Sequence, residues 1–186
     1  MRLSAAATAS LLALVLVTPD AHADEMSVSI PKPTVAVAAA VGETYVGDSR
    51  DASTVTLEGR LGFGRLEFAG ELAKSEYDDE QRTDRRVGGS IYLHLSKGTL
   101  RPVLSVGGGL LRAEHRGGLV WDMAYGQVGA GMLRKLSEQV DLGVEAIIGR
   151  RKMLRSNDVI MPLALYRYWP DEEDFGQLQL KLIVRL

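Results

Sequence analysis

Charged residues recur at alternate positions in otherwise apolar stretches, and their pairing decides what chemistry the chain can do. Glu58 and Arg60, Glu67 and Glu71, Asp141 and Glu145, and Lys181 and Arg185 each stand an even number of residues apart. In an extended strand successive side chains point to opposite faces, so the two members of each pair share a face. His94 falls on the same kind of face, opposite Ile91, Leu93 and Leu95. Carboxylates and cations gathered in this way can form a structural ion-pair network, a proton or ion path, or an acid–base pair. The structural network is the simplest reading, because ion pairs alter the charge behaviour of their members without catalysis.

Other groupings are weaker. The stretch Asp78-Asp79-Glu80-Gln81-Arg82-Thr83-Asp84 concentrates acids that can attract a divalent ion. Calcium sites fix several oxygens with tight turns, and this stretch lacks the glycine that helps, so a solvated face is expected. His94 and His115 fall toward opposite ends of their segments, which argues against a shared metal. Tyr166, Tyr168, Trp169 and Pro170 precede the acids 171–174, an arrangement that can serve as a contact surface. Val159–Tyr168 reads equally as a strand or as part of a loop. No cofactor and no metal is expected.

The composition narrows the class. The chain has 186 residues, a net charge of −2, 46% hydrophobic and 25% charged residues, and no cysteine. Its length suits one domain, and ordinary apolar content with small net charge excludes intrinsic disorder. The lack of cysteine excludes a disulfide scaffold and cysteine-based zinc or redox sites. A near-neutral chain lacks the basic surplus of a general nucleic-acid binder.

Residues 1–23 read as a cleaved secretory signal peptide. Arg2 supplies a positive start, Ala5–Val17 is a nearly unbroken apolar run, and Ala21-His22-Ala23 is a small-x-small cleavage site. The run is too short to span a bilayer as a helix. Residues 24–33 are expected to be a short periplasmic segment and residues 34–186 the folded domain.

After Val17 no helical period persists, and a period of two takes its place. Leu178, Leu180, Leu182, Val184 and Leu186 alternate with Gln177, Gln179, Lys181 and Arg185, Ile183 being the exception. Similar alternation runs through 54–61, 66–72, 87–95 and 140–149, and Ala- and Gly-rich segments at 34–46, 101–113 and 120–134 complete eight strands. Short links are expected at 62–64, 96–100 and 135–139, and longer ones at 47–52, 78–85, 114–119 and 154–173. An even strand count, an export signal and alternating link lengths together predict an all-β, eight-stranded antiparallel up-and-down transmembrane barrel. Tyr45, Tyr77, Trp121 and Phe175 would then form one interfacial girdle and Phe63 and Phe68 the other.

In such a barrel the lumen is just wide enough to be filled by side chains. The polar face would plug it with Glu58, Arg60, Glu67, Glu71, His94, Asp141, Glu145, Lys181 and Arg185. Arg60 is placed to meet Glu67 and Lys181 to meet Glu145, since their strands are neighbours. Glycines at 107–109, 129 and 131 would leave room for the larger side chains. Arg85, Arg86, Arg150, Arg151 and Lys152 would sit at the outer strand ends, where cations can pair with lipopolysaccharide phosphates.

Two stretches carry a family resemblance. Tyr125–Ala146 looks like the penultimate hairpin of small bacterial outer-membrane barrels, and Arg101-Pro-Val-Leu-Ser-Val-Gly-Gly-Gly-Leu110 resembles their glycine-alternating strand. The chain thus resembles the OmpA-like or OmpX-like eight-stranded superfamily over residues 34–186. The resemblance implies an integral outer-membrane protein of a Gram-negative cell, inserted by the assembly machinery, surrounded by lipid and lipopolysaccharide, and monomeric. The family usually ends in an aromatic residue, whereas this chain ends in Leu186, and no peptidoglycan-binding domain is expected after the barrel. Some such barrels trim or acylate lipid A with a rim His, Ser and acid. Here the rim offers His115, Asp122, Ser49 and Ser53, in no recognisable catalytic spacing. The expected role is non-enzymatic: envelope integrity or surface contact. The alternative is a soluble periplasmic lipocalin-like barrel, in which the apolar face would turn inward.

Overall fold

The computed structural model describes residues 32–47, 50–77, 81–156 and 172–186. The signal segment 1–23, most of the segment 24–33, Ser49, Asp78–Glu80 and Val159–Tyr168 lie outside the described residues. The strands are β1 (Thr34–Val46), β2 (Arg50–Phe63), β3 (Leu66–Tyr77), β4 (Arg82–His94), β5 (Leu100–His115), β6 (Val120–Lys135), β7 (Val140–Ser156) and β8 (Glu172–Arg185). Each pairs antiparallel with its neighbours in sequence, and β1 pairs with β8 from Ala36↔Arg185 to Val46↔Phe175, so the sheet closes into an eight-stranded barrel. Closure satisfies the ladder of every strand and leaves no free edge, the condition a sheet must meet in lipid.

The alternation in sequence becomes the two faces of the wall. On β1, Ala36, Ala38 and Ala40 are buried while Val35, Val37 and Val41 are exposed. On β8, Gln177, Gln179 and Lys181 are buried while Leu178, Leu180 and Leu182 are exposed. The polar residues are inside and the apolar ones outside, the reverse of a soluble ligand-binding barrel. Ile183, the apolar exception on the polar face of β8, is buried against Ala36, Val103 and Leu133. The outward apolar run on β2 extends from Val55 to Phe63. At about 3.3 Å per residue and a tilt of about 40° it is roughly 23 Å tall, close to the ~25 Å apolar band of outer-membrane barrels.

Above that band, at the mouth away from the termini, exposed charges pair across neighbouring strands. Arg85 faces Glu114, Arg112 faces Asp122, and Arg150 faces Asp174. These residues fall where the outward face leaves the apolar band.

The links depart from the expected pattern. β2 begins at Arg50, β4 at Arg82 and β8 at Glu172, and β7 runs on to Ser156. The links 47–49, 78–81 and 116–119 are therefore as short as those at the other mouth, and 157–171 alone is long. The apolar alternation stops at the end of the lipid band while the hydrogen-bonded ladder continues past it. The tight link between β5 and β6 uses Gly117 and Gly118 at φ 99° and 88°, angles that only glycine adopts without strain.

The expected girdle is also corrected. Tyr45, Phe63 and Phe68 face outward, but Tyr77, Trp121 and Phe175 are buried in the lumen. Each sits on the inward parity of its strand, and parity overrides closeness to a strand end.

Candidate functional site

The interior is a polar column built from all eight strands. Its lower part, toward the termini, is centred on Lys181 of β8. The ammonium lies 2.7 Å from Glu58 Oε1, 2.6 Å from Glu145 Oε2 and 3.0 Å from the Tyr92 hydroxyl. Arg60 donates from Nε to Glu58 at 2.7 Å and from Nη1 to Glu67 at 2.8 Å, and its guanidinium stacks 4.2 Å from the Tyr92 ring centroid. Glu145 accepts further hydrogen bonds from Ser105 Oγ at 2.6 Å and from Gln179 Nε2 at 3.0 Å. His94 Nε2 is 3.3 Å from Glu67 Oε2. At the base, fully buried Asp141 pairs with both Arg101 and Arg185.

Of the charged residues in the upper part, only Glu71 was anticipated from sequence. Asp84 and Glu173 hold Arg82 between them, at 2.6 and 2.9 Å. Arg151, with no exposed surface, donates to Asp84 Oδ2 at 2.9 Å and to the Tyr77 hydroxyl at 3.0 Å, and it stacks on Phe175. Glu71 accepts from the Tyr125 hydroxyl at 2.5 Å and faces Ser90. Arg86 donates to Gln177 Oε1 at 3.0 Å, and Gln177 donates to Gln179, which reaches Glu145. That chain of amides joins the two parts into one network.

The nine residues expected in the lumen all lie there, with Arg185 half-open at the base. Among the described residues the interior holds seven carboxylates: Glu58, Glu67, Glu71, Asp84, Asp141, Glu145 and Glu173. Five buried cations face them (Arg60, Arg82, Arg86, Arg151 and Lys181), and Arg101 and Arg185 at the base make seven. The formal charges balance, as they must where charge is removed from water. Small residues make room for this. A Cβ on Gly129 would lie 2.5 Å from Ser105 Oγ and 2.9 Å from Glu145 Oε1, and one on Gly88 would lie 2.2 Å from the Tyr125 hydroxyl.

Two of the five cations expected to reach lipopolysaccharide do not face outward. Arg86 and Arg151 are buried in the lumen. Adjacent residues of a strand face opposite ways, so in Arg85-Arg86 and in Arg150-Arg151 only the first is outside. Arg85, Arg150 and Lys152 are exposed, and their partners are Glu114, Asp174 and Glu172. The acid stretch of 78–84 is likewise corrected. Asp84 belongs to β4 and is a buried partner of arginines, not a solvated loop acid.

The three described rim residues weighed for catalysis are not assembled. Ser53 faces outward on β2, Asp122 is held by Arg112 on the outside of β6, and His115 of β5 packs its ring on Trp121 at 4.2 Å. No group of three or more His, Asp or Glu suited to a metal occurs among the described residues.

Among solved structures, the chain is similar to one described as "Crystal structure of Neisserial surface protein A (NspA)". The identity is 15%, the match covers 83% of this chain and 97% of that one, and the TM-score is 0.63. The fold is that of a small outer-membrane β-barrel. Lower TM-scores of 0.47 and 0.41 relate it to the "Crystal structure of the outer membrane enzyme PagL" (17% identity, 78% of this chain and 97% of that one) and to a "De novo design of transmembrane beta-barrels" (17%, 84% and 99%). No family model and no curated protein matches the chain. At these identities the likeness extends to the fold of this outer-membrane barrel and not to an activity.

Proposed function

We propose that the protein is a non-enzymatic integral barrel of a Gram-negative outer membrane, exported through its signal peptide, with a lumen plugged by ion pairs. Its role would be structural, in envelope integrity or surface contact. The observation that carries this reading is the polarity of the wall: a charge-balanced, hydrogen-bonded interior inside an apolar exterior. Water-filled pores need a wider ring of strands, and here both parts of the column are crossed by side-chain bonds that span the lumen, such as Arg82–Glu173 and Lys181–Glu58. Each lumenal acid among the described residues has a hydrogen-bond or ion-pair partner, which supports a scaffold over a proton-transfer role. Arg85, Arg150 and Lys152 remain the candidates for lipopolysaccharide, reached by exchanging their carboxylate partners for phosphates.

Fractionation of cells carrying the native chain tests this. The expected result is detergent-dependent extraction from the outer membrane, a mobility shift between boiled and unboiled samples, and negligible conductance in planar bilayers. Recovery in the soluble periplasm would refute the placement, steady conductance would refute the plug, and release of fatty acid from lipid A would refute the non-enzymatic role. Arg150→Glu and Lys152→Glu variants with unchanged lipopolysaccharide association would remove that partner.

A further inference from the structure

At the mouth where β1 begins and β8 ends, the ends of β1–β5 and β8 enclose a cavity of about 210 Å³. Arg65 of the β2–β3 turn, Lys97 of the β4–β5 link, Arg101 at the start of β5 and Arg185 at the end of β8 all line it, together with His94 and Glu67. Glu67 is already engaged by Arg60 at 2.8 Å and faces His94 at 3.3 Å. The neighbouring Asp141 is shared by Arg101 and Arg185. Arg65 and Lys97 have no carboxylate partner among the described residues. The cavity wall thus carries four cations and one carboxylate, Glu67, with Asp141 behind two of the cations, whereas the column above it is balanced.

Two buried polar atoms are unpartnered at the same place. His94 is more than nine-tenths buried, and its Nδ1 has no hydrogen-bond partner. Arg101 Nε has none either. A buried polar atom without a partner is costly, and here one lies on the wall of a cavity whose charge is already positive. Planar arginine forks next to an ammonium are the donor set that recognises tetrahedral oxyanions.

We propose that this mouth is a binding site for a phosphate group, supplied either by inorganic phosphate or by a phospholipid headgroup. Arg101 and Arg185, fixed by Asp141, form its floor. Arg65 and Lys97 are the arms that close over the anion. The cavity holds a tetrahedral oxyanion with a few waters, each water taking about 30 Å³. The site rests on this geometry and not on the role proposed above.

The test uses the mature chain refolded in a neutral detergent and titrated with inorganic phosphate at constant ionic strength, read by amide NMR and calorimetry. The expected result is saturable one-site binding, with shifts confined to residues around Gly64, His94 and Gly98. Binding should weaken as salt rises, since the arms are exposed. The double variant Arg65→Gln/Lys97→Gln, which alters exposed turn residues only, should raise Kd about tenfold or more, and Lys74→Gln at the opposite mouth should leave it unchanged. A second arm repeats the titration in nanodiscs of phosphatidylglycerol or phosphatidylcholine. Loss of inorganic phosphate binding in either lipid relative to detergent, at salt that screens the surface charge, assigns the site to a lipid headgroup, since both lipids carry the phosphate; unchanged binding in both assigns it to free phosphate. Non-saturable titration, shifts spread over the charges of the opposite mouth, or an unchanged Kd in the double variant would overturn the proposal.

Discussion

Lys181→Met removes the cation at the centre of the lower network without changing the side-chain length much. Lys181 is 1% exposed and holds Glu58 and Glu145 at 2.7 and 2.6 Å. Two hydrogen bonds to charged groups are worth about 1.5–3 kcal/mol each, which bounds the gross loss at about 3–6 kcal/mol. Glu58 keeps Arg60, and Glu145 keeps Ser105 and Gln179. The expected destabilisation is therefore about 3–4 kcal/mol, within the ~3–5 kcal/mol found when one partner of a buried pair is removed. Adding Glu145→Gln discards the stranded carboxylate, so the double variant should cost at least about 1 kcal/mol less than the sum of the singles. Urea titrations of protein refolded into vesicles measure all four species under one protocol. A loss under about 1 kcal/mol for Lys181→Met, or strict additivity with Glu145→Gln, would refute the view that the lumen is held by buried charge pairing.

Neighbouring arginines on β7 should behave oppositely: Arg151→Ala leaves buried Asp84 to Arg82 and Tyr77 alone, empties a buried site and should cost about 3 kcal/mol, whereas Arg150→Ala, 63% exposed at its side chain, should stay within about 0.5 kcal/mol in the same titration. Leu180→Arg places a charge on the lipid face of β8 and should cost about 2–4 kcal/mol in vesicles; a neutral outcome would mean that this face does not meet lipid. Gly129→Ala should impair folding yield, because its Cβ would press on Ser105 and Glu145, while Gly126→Ala, whose Cβ meets nothing within 4 Å, should fold as well as the parent by the heat-shift assay.

The eight strands and the lower network were legible because one rule, alternation, controls both. β1 occupies the expected span, and the partners foreseen for Arg60 and Lys181 are Glu67 and Glu145. The strand ends were not legible. Beyond the lipid band the outward residues are charged too, as at Arg85, Arg112, Arg150 and Glu172, so hydropathy stops alternating although the ladder continues. Reading 78–85 and 154–173 as links, and Arg86 and Arg151 as outward-facing strand ends, concealed the upper network. A signal was present nonetheless. Counting by twos from Glu145 reaches Arg151, from His94 reaches Arg86, Asp84 and Arg82, and from Lys181 reaches Phe175 and Glu173. Parity carried past the end of the hydrophobic pattern would have found the upper cluster and emptied half of the supposed girdle. The mouth cavity was hidden for another reason: Arg65 and Lys97 sit in turns, where alternation places nothing.

The same parity explains why the interior is polar at all. Lipid and an apolar lumen are nearly equivalent solvents for Leu, so an apolar barrel would gain little from choosing one register over the next. In this chain a one-residue slip of β8 would turn Glu173, Gln177, Gln179 and Lys181 outward and bring Leu178, Leu180 and Leu182 among the partners of Glu58 and Glu145. A charge moved to mid-membrane costs about 2–4 kcal/mol, while Glu145 loses its cation and Glu58 is left with Arg60 alone. The slipped barrel is penalised on both faces at once. A soluble barrel fixes its register by burying what water rejects; this one fixes it by burying what lipid rejects. Substitutions that neutralise matched lumenal pairs should therefore loosen register and slow assembly before they lower the stability of the finished barrel.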